Sequence, residues 1–71
     1  MYWYKSKVGT FTIRSTLNGY GLFLGGDLVG EYDSPTAAAD DVFTHTTGEF
    51  RWDRLDGRVN PPSDLSEWHQ S

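Results

Sequence analysis

The sequence predicts a small α+β domain: a three-stranded antiparallel sheet packed on one helix, in the order β-β-β-α. Three observations predict it. Around Phe11 and Ile13 an alternation with period two ends at Asn18-Gly19, a second turn signal stands at Gly25-Gly26-Asp27, and a helix start at Ser34-Pro35 leads into three consecutive alanines.

Over 9–17, Phe11 and Ile13 alternate with Thr10, Thr12 and Arg14, the pattern of a strand with one buried face. Thr and Ile also favour pleated backbone. Asn18-Gly19 takes the positive φ angles of a two-residue hairpin turn, so the chain returns directly as a strand over 20–24. Gly25-Gly26-Asp27 turns it again into 28–32, completing a meander over 9–33.

Ser34 can accept an amide left unpaired in the first turn of a helix, and Pro35 stands where its missing N–H costs nothing. A helix over 35–46 follows, within a segment 34–48. Ala38, Ala39, Val42 and Phe43 fall at spacings of three and four and form an apolar stripe whose alanines allow close approach to the sheet. Asp40 and Asp41 are expected to face water, and Gly48 to supply the left-handed stop.

In the remaining segment, 49–71, Phe50 and Trp52 alternate with Glu49, Arg51 and Asp53. That spacing predicts a short fourth extended strand pairing with or covering a sheet edge. Asn60-Pro61-Pro62 enforces an extended connection. Asp64 with Glu67 three residues later predicts a capped helical turn that folds Trp68 back onto the domain.

A chain of 71 residues buries only about 60% of the surface its unfolded form exposes. With three Trp, four Tyr and four Phe, rings supply much of the core. There is no cysteine, hence no disulfide and no thiolate zinc site, and a cytoplasmic location is expected. Neither a long apolar run nor a basic-then-apolar leader is present, so no membrane association or export by that route is expected. A net charge of -4 repels nucleic acid and anionic lipid unless the cations gather on one face.

Catalytic constellations are missing from the pattern. His45 and His69 lie in separate elements without further ligands, so no metal or other cofactor is expected. Asp40 and Asp41 are neighbours on a helix and point about 100° apart, too divergent for paired acid and base work. Gly19-Tyr20-Gly21 and Gly25-Gly26 lack the following Lys and helix of a phosphate loop, and no serine sits in a nucleophile elbow. The expectation is a non-enzymatic accessory or interaction module.

A sheet backed by one helix leaves its other face to solvent, with Thr10, Thr12 and Arg14 on it. From the second strand, either Tyr20, Leu22 and Leu24 or Phe23 must point the same way. Unless Tyr2-Trp3-Tyr4 or the Trp68 tail covers that face, its rings form a partner site or dimer seam. The candidate contact residues are Thr12, Arg14 and Phe23, with Trp3 and Trp52 as anchors, and the partner is a protein or a second copy. The alternative is a nucleic acid held by Lys5, Lys7 and Arg14 with a stacking ring, Tyr20 or Phe23.

The run Leu28-Val29-Gly30-Glu31-Tyr32-Asp33-Ser34-Pro35-Thr36-Ala37-Ala38-Ala39 resembles the third strand and helix start of the AP2-type DNA-binding domains of plant transcription factors and the related arm-binding domains of phage-type integrases. The resemblance implies a sheet that reads a DNA groove through basic and aromatic residues. Here only Lys5, Lys7 and Arg14 lie in or before the sheet, while Asp27, Glu31 and Asp33 oppose a phosphate backbone. The helix start Ser34-Pro35-Thr36-Ala37-Ala38 and the tail Asp64-Leu65-Ser66-Glu67-Trp68 are also similar to those of small bacterial proteins of no assigned function, which implies no activity.

Overall fold

A computed structural model, covering residues 1–71, shows an α+β domain with one antiparallel sheet of five strands, two more than the sequence predicts. The strands are β1 (Tyr2–Ser6), β2 (Gly9–Thr16), β3 (Gly19–Leu24), β4 (Asp27–Tyr32) and β5 (His69–Gln70), arranged β4-β3-β2-β1-β5. The meander β2-β3-β4 is as expected. Tyr2-Trp3-Tyr4, however, extends the sheet as β1 instead of lying across it, with Tyr2 opposite Ile13 and Tyr4 opposite Phe11. Three consecutive rings hide the period of two, because the inward and outward positions look equally apolar. β5 has only two residues, too few for any period.

Register decides which side chains meet. Phe11 pairs with Leu24 and Ile13 with Leu22, so Tyr2, Tyr4, Phe11, Ile13, Tyr20, Leu22 and Leu24 share one face. The helix α1 (Pro35–Thr44) packs on that face, burying Ala38, Ala39 and Val42. Ser34 caps it by accepting from the Ala37 amide at 3.2 Å.

α1 stops before the expected end, and His45 rather than Gly48 makes the left-handed closure, at φ 57° and ψ 44°. The His45 amide donates to the Val42 carbonyl at 3.3 Å and the Thr46 amide to that of Asp41 at 3.0 Å, the paired bonds of a Schellman ending. The physical reason is burial. In this geometry the imidazole stacks on Trp52, with centroids 4.5 Å apart and planes at 13°. The apolar stripe therefore runs from Ala38 and Val42 to His45, while Phe43 is 44% exposed. Asp41 is half-buried rather than free in water: it accepts from the Tyr32 hydroxyl at 2.9 Å and from Thr46 Oγ1 at 3.3 Å. Burial first, and then this bond, push the Tyr32 hydroxyl well above its ordinary pKa.

The expected fourth extended segment is a single helical turn, α2 (Phe50–Asp53). Acceptors at both of its ends select it. Glu49 accepts from the Arg51 amide at 2.9 Å, and Asp53 accepts from the Thr47 amide at 3.1 Å, the Thr47 hydroxyl at 2.8 Å and the Gly48 amide at 2.8 Å. Bonds from the Arg51 side chain and amide hold the Glu49 carboxyl down at about 2. An apolar spacing of two, over only four residues, cannot distinguish a strand from one helical turn.

Trp52 lies at the centre of the core. It is fully buried, donates from Nε1 to the Val42 carbonyl at 2.9 Å, and meets Phe11 edge-on at 5.2 Å. After the connection through Pro61 and Pro62, a 3-10 turn at Leu65–Glu67 is capped by Asp64, which accepts from the Ser66 amide at 2.9 Å. Trp68 follows, 5% exposed and tilted against Tyr4 at 5.7 Å.

Candidate functional site

Both helices and the tail pack on one side of the sheet, so strand alternation sends every second residue to the opposite, uncovered side. Register then builds one continuous row across all five strands. His69 lies opposite Trp3, Trp3 opposite Thr12, Thr12 opposite Phe23, and Phe23 opposite Leu28. The last place depends on a β-bulge in β4 facing Leu22 and Phe23. One extra residue there turns Val29 to the core and leaves Leu28 on the open face, 54% exposed.

The two rings of this row are held in different ways. Phe23 leans along its strand over Gly21, where a Cβ would come within 2.7 Å of Phe23 Cε1 and 3.0 Å of Thr16 Cγ2. Only glycine leaves room for the ring to lie down. Arg14, paired with Gly21, then sets its guanidinium over the ring, with Cζ 4.1 Å from the centroid. Trp3 is stacked by His69, with centroids 4.2 Å apart and planes at 20°. Each half-buried ring thus supports an exposed planar group.

The acids are concentrated in the part of the chain that follows the sheet's central strands. Of the two acidic residues within the strands, Glu31 lies on the open face, opposite Gly21, where it accepts from Thr16 at 3.3 Å. Asp27 turns to the helical side, its carboxylate 3.8 Å from Arg51. The other eight follow β4 in the chain. Lys5 and Arg14 stand on the open face, and neither makes an ion pair. The strand residues of the open face thus carry two cations and one acid, in a domain of charge -4.

Four of the five sequence candidates, Trp3, Thr12, Arg14 and Phe23, meet on this face. Trp52 does not, since it is sealed in the core and leaves no surface for a partner. Among the residues of the nucleic-acid alternative, Lys5 and Arg14 share the face, and Lys7 lies in the β1-β2 turn. Tyr20 packs against the core on the other side, opposite Ser15 and Tyr32, so the ring available for stacking from the second hairpin strand is Phe23. Sequence reasoning missed His69 and Leu28. The first belongs to a strand too short to show a period, and the second depends on a bulge whose only trace is Gly30.

The surface has no enclosed pocket, no three or more potential metal-ligating side chains come together, and no helix is long and apolar enough to cross a membrane. Compared with known proteins, the chain matches no family model, no curated protein and no solved structure.

Proposed function

We propose that this domain is a non-catalytic recognition module that meets its partner with the open face of the sheet. The supporting observation is the row His69, Trp3, Thr12, Phe23, Leu28, which carries rings and an exposed leucine from edge to edge on the side that no helix covers. Apolar residues on the covered side are accounted for by the core, whereas Leu28 and the outer half of this row contribute little to folding. Flanking Lys5 and Arg14, free of ion pairs, add a charge preference to an otherwise apolar strip.

Replacing Trp3 and Leu28 together by threonine tests the reading. Threonine suits a strand, so the double variant is expected to unfold within about 1 kcal/mol of the parent while losing binding of an apolar surface dye. A variant that fails to fold would show that the row holds the domain together, and the reading would fall.

A further inference from the structure

Building on the open-face reading, we infer that the partner is a single-stranded nucleic acid, its bases stacking on the Arg14–Phe23 and His69–Trp3 pairs and its phosphates meeting Lys5 and Arg14. Each pair is a planar, exposed group backed by a ring: a guanidinium 4.1 Å above Phe23 and an imidazole 4.2 Å from Trp3. Unstacked bases stack on guanidinium planes and imidazoles as well as on larger rings. The backing ring restricts the motion of the planar group above it, so less freedom is lost when a base arrives. The two backing rings, Trp3 and Phe23, belong to one register row and are separated by the strand of Thr12, about 10 Å at ordinary strand spacing.

Charge complementarity selects a polyanion. Within the strands the open face sets Lys5 and Arg14 against one acid, Glu31, and eight of the ten acids follow β4 in the chain. The net charge of -4 therefore arises outside the strands, which carry two cations and two acids. With only two unpaired cations on the face, phosphate contact alone gives weak binding, and stacking must supply the rest. A duplex hides its base faces from such platforms; a single strand presents them. Two copies meeting through this same face would enclose four strand cations with two glutamates, an excess of like charge that opposes association.

The test is a titration of the intact chain with oligothymidylate and oligouridylate of about eight nucleotides, followed by tryptophan fluorescence and by anisotropy of a labelled strand. Saturable binding at low salt is expected, with Trp3 emission quenched. Contact with two phosphates weakens affinity about seven-fold between 50 and 200 mM salt, from a slope of about -1.4. His69→Ala and Arg14→Ala should each weaken binding roughly ten-fold. Arg14→Lys should do nearly the same, because it keeps the charge and removes the plane. Arg54→Ala, on the helical side, should change nothing.

Full binding by Arg14→Lys would reduce the contact to charge and overturn the stacking proposal. Preference for duplex of equal length would overturn it too, as would sedimentation of a dimer that Arg14→Ala dissolves, which would give the face to a second copy. If no strand binds at low salt, the proposal fails. Dye binding that is lost in the Trp3, Leu28 double variant would then leave the open-face reading standing, and absence of dye binding in the parent would remove both.

Discussion

Phe23 lies over Gly21 so closely that the pair acts as one unit: the ring fills the volume that any other residue at position 21 would claim, 2.7 Å from an added Cβ. Arg14 completes the unit from the neighbouring strand. Gly21→Ala is therefore expected to lift the ring off the sheet, expose it, and destabilise the domain by about 1 kcal/mol. The coupling is checked by a double-mutant cycle in urea. With Phe23→Ala already present, Gly21→Ala should cost much less, only the 3.0 Å approach to Thr16 Cγ2 remaining, and an unchanged cost would mean that the ring is not what the glycine accommodates.

His45 closes α1 in a conformation that costs an L side chain roughly 1–2 kcal/mol and glycine almost nothing. Its imidazole stacks on Trp52, with both ring nitrogens buried and without a hydrogen-bond partner. His45→Ala and His45→Gly both lose the stack but differ in the backbone term. Glycine should be the more stable of the two by about 1 kcal/mol, the reverse of the order inside a helix. Chemical denaturation of the pair reads this directly, and alanine ranking above glycine would contradict the left-handed ending.

The elements legible in the sequence are those whose signals are local. Asn18-Gly19, Gly25-Gly26-Asp27 and Ser34-Pro35 each fix a turn or helix start through φ angles and caps, and the chain turns or starts a helix at each. What escaped depends on contacts distant in sequence. β5 exists because Trp68 is buried beside Tyr4 and sets His69 against Trp3. α1 ends early because Trp52 offers His45 a stacking surface. α2 forms because Asp53 reaches back to Thr47 and Gly48. On the candidate face, strand alternation placed Thr12 and Arg14, but the choice between Phe23 and Tyr20 needed a register that only the packed sheet supplies.

Tyr32 predicts a loss of stability in alkali. Burial and its bond to Asp41 raise the pKa of its hydroxyl above the ordinary value of 10.0, and burial raises Tyr4 in the same direction. Above pH 10 an unfolded tyrosine gives up its proton while the folded one keeps it. The stabilisation is thus complete below that pH and is lost progressively as pH rises toward the folded value. Thermal melts from neutral pH to about 11 should show the decline. Tyr32→Phe, although about 1 kcal/mol less stable at neutral pH, should show a shallower one, and equal slopes would exclude this tyrosine as the cause.

Two buried tryptophans make opposite demands of their indole N–H, and replacing each by phenylalanine separates them. Trp52 Nε1 donates to the Val42 carbonyl at 2.9 Å, so Trp52→Phe removes a made bond as well as core volume. Trp68 Nε1 is equally buried yet has no acceptor, so Trp68→Phe loses area but also removes an unsatisfied donor, whose burial costs about 1–3 kcal/mol. Trp52→Phe is accordingly the more damaging substitution, by about 1–2 kcal/mol in equilibrium unfolding. A domain this small has about 3–5 kcal/mol from its core, so the difference between the two variants should separate their unfolding midpoints clearly. Equal losses would mean that the tail tryptophan finds a partner in solution, such as a bridging water, and the difference between the two sites would then lie in packing alone.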